Sequence, residues 1–333
     1  MTDMAPLVSS FLREHMPRQR NASRHTITSH ADSLMLLVCY IAGRLKIRPC
    51  VITVEQLTVD MIFDFLEHLE KDRGNSVGTR NVRLAAIKSF FRYLEYRLPS
   101  CLDLARQVHA IPMKKHDQLV VRYLDREEIQ ALLEAPDLGT IAGLRDRAML
   151  FLAYSAGLRV SELVNVTLED IGQPNLDTVR ITGKGRKERI LPLWKEAAKA
   201  IRDWLHVRPK GVDPHLFLNV RGKAMSRHGF AHRLTLHAKA AAKVMPSIAD
   251  KRVHPHVLRH STAIHTLEAT GDIRKVSLWL GHTSIQSTEI YLRADPVGKL
   301  EILSSNNPPA VTKGSFGDAP DRLLAILKDV RSS

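Results

Sequence analysis

Cysteine is scarce in this chain. Only Cys39, Cys50 and Cys101 occur among 333 residues, all in the first third and none in a CxxC pair. The odd count and the spacing exclude a disulfide framework and a cysteine zinc site. Buried free thiols in a reducing compartment are expected. Long apolar runs are missing too. The stretch Leu34-Met35-Leu36-Leu37-Val38-Cys39-Tyr40-Ile41-Ala42 is one of the longest and is too short to span a bilayer. The opening Met1-Thr2-Asp3-Met4-Ala5-Pro6 lacks the basic-then-apolar pattern of a signal peptide, so a cytoplasmic protein is expected. Aromatic residues make up only 5%, which argues against a base-stacking platform for single strands.

What the chain has in excess is positive charge. The formal net charge is +14. Such an excess calls for a polyanionic partner, and Lys and Arg contacts to duplex phosphates fit the low aromatic content. The length allows two domains, each with its own core.

Residues 5–97 read as helices. Leu7, Phe11 and Leu12 form a short amphipathic set, and residues 33–45 are apolar on more than one side. Thr58 precedes Met61, Ile62, Phe65, Leu66 and Leu69, a helical face with an N-cap. After Gly74-Asn75-Ser76, Val82, Ala86, Phe90 and Leu94 recur every four residues, widened by Ile87 and Phe91. Arg80, Arg83, Lys88 and Arg92 decorate that helix. They are either a solvated face or a DNA-facing one, and the basic chain favours the second. Residues 100–119 have weak periodicity and read as a linker. Asp125 and Glu128 have capping-box spacing and open a new domain.

The second half mixes helices with a little strand. Leu144, Ala148, Phe151 and Leu152 stripe a helix that Gly157 ends. Residues 178–182 and 188–193 read as two strands with Lys184 at the tip between them, and 215–218 as a possible third. Helices are expected over 230–244, 256–269, 273–280 and 289–293. Residues 304–317 are rich in Ser, Asn, Pro and Gly, and Leu323, Ile326, Leu327 and Val330 then share a helical face, which can dock on its own domain or on a neighbour. The fold class is therefore mostly α with a small antiparallel sheet, in two domains. The segments are 1–105, a linker at 106–122, 123–303, and a tail at 304–333.

Several residue types suited to phosphodiester chemistry stand in order along the second domain. Arg159 follows a helix end. It either pairs with Glu162 or forks onto two phosphate oxygens, geometry a lysine cannot copy. Lys184 lies in Gly183-Lys184-Gly185, where the glycines permit close approach to a backbone. The GxxxxGK[ST] spacing of a nucleotide phosphate loop is missing. His254, His256, His260 and His265 crowd one stretch, but HExxH order and a nearby cysteine are lacking, so no metal is expected. His256 and Arg259, three apart, share a helix face, while His260 is expected to turn into packing. His282 follows Gly281, and Tyr291 is either a core aromatic or a nucleophile.

Together these residues resemble the tyrosine recombinases, the phage-integrase type of site-specific recombinase. Box one of that family resembles Ala153-Tyr154-Ser155-Ala156-Gly157-Leu158-Arg159-Val160-Ser161-Glu162-Leu163, and its lysine motif resembles Gly183-Lys184-Gly185-Arg186-Lys187-Glu188-Arg189. Box two resembles His256-Val257-Leu258-Arg259-His260-Ser261, continuing through Leu280-Gly281-His282 to Tyr291. Residues 79–94 resemble, less specifically, the last helix of the family's N-terminal core-binding domain. The resemblance implies a catalytic set of Arg159, Lys184, His256, Arg259, His282 and Tyr291, supported by Glu162. It implies that Tyr291 attacks DNA to give a 3′-phosphotyrosine and that Lys184 protonates the departing 5′ oxygen. No cofactor, ATP or metal is implied. The implied partners are double-stranded DNA and further subunits, as a homo-tetramer or a hetero-assembly with related recombinases. A catalytically silent DNA-binding protein of a mobile element and a type IB topoisomerase are the alternatives.

Overall fold

A computed structural model describes residues 2–115, 121–183, 188–211, 213–282 and 284–294. They form two compact units divided between residues 118 and 119. The chain is mostly helical with one small antiparallel sheet, as its patterning predicts.

In the first unit, α1 (Met4–Ser10) runs into a π-helical segment, Phe11–Gln19. Then come α2 (Arg24–Leu45), α3 (Val59–Lys71), α4 (Val77–Arg97) and α5 (Leu102–Ala110). Hydroxyl caps start the three long helices. Ser23 accepts from Thr26 N–H, Thr58 from Met61 N–H and Ser76 from Thr79 N–H. Each cap satisfies an orphan amide and contributes about 1 kcal/mol. The core gathers Phe11, Leu37, Ile41, Phe65, Leu66, Phe90 and Leu94. Burying each such side chain stabilises the unit by about 1.5–3 kcal/mol.

The first unit departs from its sequence pattern in three places. The four-residue repeat in α4 overshoots the helical period, so Val82 lies about 120° round from Leu94 and is 54% exposed. Leu84 and Ile87 fill the face instead. Residues 102–110, read as part of a linker, are helical, and Cys101, Ala105, Val108 and Ile111 enter the core. That stripe depends on Cys and Ala, which give a weak apolar signal. Finally, only Cys101 is a buried thiol; Cys39 and Cys50 are free but exposed.

The second unit begins at α6 (Arg126–Glu134), with the capping box between Asp125 and Glu128 formed reciprocally. Glu128 is buried and also takes Ser247 Oγ at 2.7 Å and Lys251 Nζ at 2.5 Å. Helix α7 (Ile141–Ser155) is the central element, buried nearly all round from Ala148 to Ser155. The short α8 (Val160–Asn165) follows, then strands β1 (Thr178–Thr182) and β2 (Glu188–Pro192). The strands pair antiparallel, Thr178 opposite Pro192 and Thr182 opposite Glu188. Val179, Ile181 and Leu191 face the core. Residues 215–218 add no third strand. His215 and Leu218 make isolated bridges to Thr167 and Ala224, away from the hairpin.

Helices α9 (Lys195–Val207) and α10 (Arg227–Ala241) complete the shell. They are followed by α11 (Pro255–Thr270), α12 (Ile273–Leu280) and α13 (Gln286–Ala294). Pro255 at the first turn and Gly271 just past the end, at φ +60°, delimit α11. Ala263, Ile264, Leu267, Val276, Leu280 and Tyr291 pack α11, α12 and α13 into one cluster. The Lys184 loop tip and the tail after Ala294, with its expected helix, lie outside the described residues.

Candidate active site

The site is built around a buried carboxylate. Arg159 is the N-cap of α8, and Glu162 lies one turn on, so the two reach each other across the first turn. Glu162 accepts Arg159 Nη1 at 2.8 Å and the Arg159 backbone N–H at 3.0 Å. From β2, Arg189 Nη2 donates at 2.9 Å to Oε2, the oxygen that also accepts the Arg159 backbone N–H. From α11, Arg259 Nη1 lies 3.8 Å from that oxygen. Three guanidiniums from three elements thus converge on one carboxylate, which leaves a positive surplus for an oxyanion.

Arg259 is also anchored by backbone. It donates to the Gly157 carbonyl at 2.5 Å and to the Leu280 carbonyl at 2.8 Å. The first acceptor belongs to a glycine and the second precedes one, and the chain needs both glycines. Gly157 has φ +57°, and a Cβ there would lie 2.6 Å from Leu280 Cδ2. Gly281 has φ +64°, and a Cβ there would meet Arg189 Nη1 at 2.9 Å.

Tyr291 closes the site from α13. Its ring is 2% exposed, and its hydroxyl lies 3.1 Å from His260 Nδ1. His282 stacks on it with ring centroids 6.5 Å apart and a 12° interplanar angle. His282 Nδ1 itself meets Thr288 Oγ1 at 2.7 Å. His256, one turn before His260, is exposed, and its ring centroid is 6.3 Å from that of His260.

Burial and the shared positive charge set the protonation states. Burial, then the neighbouring Arg159 charge, pulls Arg259 down to about 10, still cationic at neutral pH. Burial opposes ionisation of Glu162, but bonds from Arg189 and Arg159 outweigh it and lower its pKa. Burial, then the Arg259 and Arg159 charges, hold His282 near 4. Burial raises the Tyr291 phenol, while Arg259 and Arg159 pull the other way. Both guanidiniums therefore act on the phenol that the sequence sets far from them.

Of the expected residues, Arg159, Glu162, Arg259, His282 and Tyr291 fall together, with His256 one turn from His260. Lys184 lies outside the described residues. His260 was expected to turn away into packing; instead it is bonded to Tyr291. Arg189 was missed as a site residue, although it ends the lysine motif in sequence. Among the described residues, no group of three His, Cys, Asp or Glu side chains is placed to hold a metal ion. No described helix is long and apolar enough to cross a membrane.

The basic residues of α4 need a different account. Arg80 is buried and donates to the Pro112 carbonyl at 3.0 Å. Arg83 donates to Ser33 Oγ at 3.0 Å. Lys88 donates to the His109 carbonyl at 2.9 Å and to the Ile111 carbonyl at 2.5 Å. These three brace their own unit, and Arg92 alone of the four is exposed.

Residues 122–297 match the model of the phage integrase family, and residues 9–97 match that of the phage integrase N-terminal SAM-like domain. The chain is 38% identical to a Sinorhizobium fredii protein named as integrase/recombinase y4rC, over 98% of each chain. It is 34% identical to tyrosine recombinase XerC of Pelobacter propionicus, over 93% of this chain and 98% of that one. Its fold is similar to that of the XerH site-specific recombinase, solved in a post-cleavage complex with a palindromic difH substrate. That match has a TM-score of 0.65 at 22% identity, covering 89% of this chain and 84% of that one. The chain belongs to the phage integrase family of tyrosine recombinases, which are site-specific DNA recombinases.

Proposed function

We propose that this protein cuts and rejoins double-stranded DNA with Tyr291 as its nucleophile. The observation that carries the reading is the meeting of Arg159 and Arg259 at Glu162, next to the cluster that holds Tyr291: Leu280 gives its carbonyl to Arg259 and belongs to that cluster. In the proposed step the Tyr291 oxygen bonds to phosphorus and the bond to the 5′ oxygen breaks. The strand is left as a 3′-phosphotyrosine with a free 5′-hydroxyl. Arg159 and Arg259 neutralise the charge that collects on the equatorial oxygens, and losing one such donor typically costs about 3–4 kcal/mol. Glu162 keeps the two guanidiniums aimed.

A phenol with a raised pKa is protonated at neutral pH and needs a proton path as it attacks. His256 and His282 are assigned to that path and to holding the phosphate. Lys184 is assigned to protonate the departing oxygen, by residue type and family position. The ester conserves the bond energy, so a 5′-hydroxyl from another strand can reseal it without ATP or metal.

The reading extends to strand exchange between two DNA sites within a tetramer, alone or with related recombinases, in the cytoplasm where the DNA lies. Service to a mobile element, by integration or transposition, fits the same chemistry. Arg92 is kept as a DNA contact. The test is a suicide DNA substrate in which the short fragment bearing the new 5′-hydroxyl diffuses away after cleavage. Wild type should accumulate a covalent adduct and Tyr291→Phe should not. An equal adduct in both would reject the assignment.

A further inference from the structure

His260 has no part in the proposed chemistry, yet it is the side chain hydrogen-bonded to the proposed nucleophile. Its Nδ1 lies 3.1 Å from the Tyr291 hydroxyl, with ring centroids 5.7 Å apart. The two rings come from α11 and α13, which pack together. The Tyr291 ring is wedged among Ala263, Ile264, Leu267, Val276 and Leu280, so its position is fixed by apolar contacts. Those contacts leave rotation of the O–H undetermined. A buried phenol O–H needs an acceptor. His282 stacks on the same ring, but its Nδ1 is engaged by Thr288 at 2.7 Å.

We propose that His260 is a positioning residue for the nucleophile: its Nδ1 accepts the Tyr291 hydrogen bond and fixes the direction from which the phenolic oxygen meets phosphorus. The inference rests on the assignment of Tyr291. His256 and His260 are one turn apart on α11, so His260 stands beside both His256 and Tyr291. Burial, then the His256 and His254 charges, lower the His260 pKa to about 4, so the ring is neutral under working conditions. A neutral imidazole with its proton on Nε2 offers Nδ1 as an acceptor. Such a ring orients the phenol and does not store its proton. In-line attack is sensitive to this, because a misplacement of about 1 Å can cost on the order of 100-fold in rate. A side chain required only to fill space at this position could be apolar.

The test compares His260→Phe, His260→Asn and His260→Gln with wild type and Tyr291→Phe. Single-turnover adduct formation is followed on a saturating suicide DNA substrate, beside DNA affinity and thermal melting. Asn can place a polar atom near the position of Nδ1, and Gln reaches instead toward Nε2. His260→Phe should lose on the order of 100-fold in adduct rate. Its DNA affinity should stay within about twofold of wild type, since the lost contact acts after binding. His260→Asn should regain about tenfold of the loss, and His260→Gln should not. A His260→Phe variant cleaving at the wild-type rate would overturn the inference. So would equal rates for the Asn and Gln variants, a comparison that still decides if the Phe variant does not fold. Should Tyr291→Phe trap DNA as wild type does, the assignment beneath the inference falls as well.

Discussion

Arg259 donates to the Gly157 carbonyl at 2.5 Å, and this bond ties α11 to the loop that presents Arg159. The two arginines are a hundred residues apart in the chain but share one backbone support. Gly157 is therefore a structural requirement of the site. Gly157→Ala places a side chain at φ +57° and a Cβ 2.6 Å from Leu280. The αL conformation alone costs about 1–2 kcal/mol for a residue other than glycine. With the clash added, denaturant unfolding should show a loss of about 2–4 kcal/mol, together with slower DNA cleavage. A melting profile like that of wild type would show that the loop adjusts freely.

Arg189 and Glu162 make the second test. Arg189→Ala removes one of the two bonded guanidiniums from a buried carboxylate. Leaving a buried charge unpaired costs about 3–5 kcal/mol, and Arg159 limits the loss here to about 2 kcal/mol. Cleavage should fall on the order of tenfold or more as Glu162, released from Arg189, shifts and takes the Arg159 guanidinium with it. Arg189→Lys should restore stability better than rate, since a lysine cannot reproduce the fork. Stability curves and single-turnover cleavage of the three proteins check this.

Acid should weaken the second unit in two stages. His260, His265 and His282 are held near 4 in the fold, mainly by burial. An unfolded histidine titrates near 6.5. The unfolded chain thus binds more protons between about pH 4 and 6.5, so stability is full above that window and falls as pH drops through it. Glu162 has a lowered pKa, so its contribution holds above the ordinary glutamate value and is lost at more acid pH. His265 is buried and bonded to the Tyr154 hydroxyl at 2.7 Å. His265→Gln should flatten the slope of unfolding free energy between pH 4 and 6.5 by at most about 1.4 kcal/mol per pH unit. An unchanged slope in urea titrations across that range would contradict the burial argument.

In the first unit, internal braces and DNA contacts can be separated by salt. Arg80→Ala and Lys88→Ala should each lower the stability of that unit by about 1–3 kcal/mol, because the Pro112, His109 and Ile111 carbonyls lose their donors. Arg92→Ala should leave stability within about 0.5 kcal/mol. If Arg92 meets a phosphate, that variant should reduce the salt slope of DNA binding by about one. Binding measured over a salt series distinguishes the two groups.

The parts of the site legible in the sequence are those written in one local stretch. Arg159 and Glu162 are joined by a single helical turn, and Gly281 ends α12 where its spacing predicts. Residues defined by packing between elements were not legible. His260 meets Tyr291 only because α13 lies against α11, and nothing in their separation along the chain states that. Arg189 reaches Glu162 because β2 passes α8, although on paper it reads as one more strand arginine. The α4 cations read as DNA-facing on so basic a chain, but carbonyls at and just past the end of α5 claim two of them. That helix itself was hidden because Cys101 and Ala105 weigh little in an apolar pattern.

The most direct measurement is to trap the protein on DNA, digest the adduct and identify by mass spectrometry the peptide that carries the nucleotide. The predicted result is a phosphodiester on Tyr291, with adduct formation slowed on the order of 100-fold or more when Arg159 or Arg259 is replaced by alanine. A nucleotide on any other residue, or undiminished trapping in both arginine variants, would contradict the convergence of guanidiniums and phenol on one phosphorus.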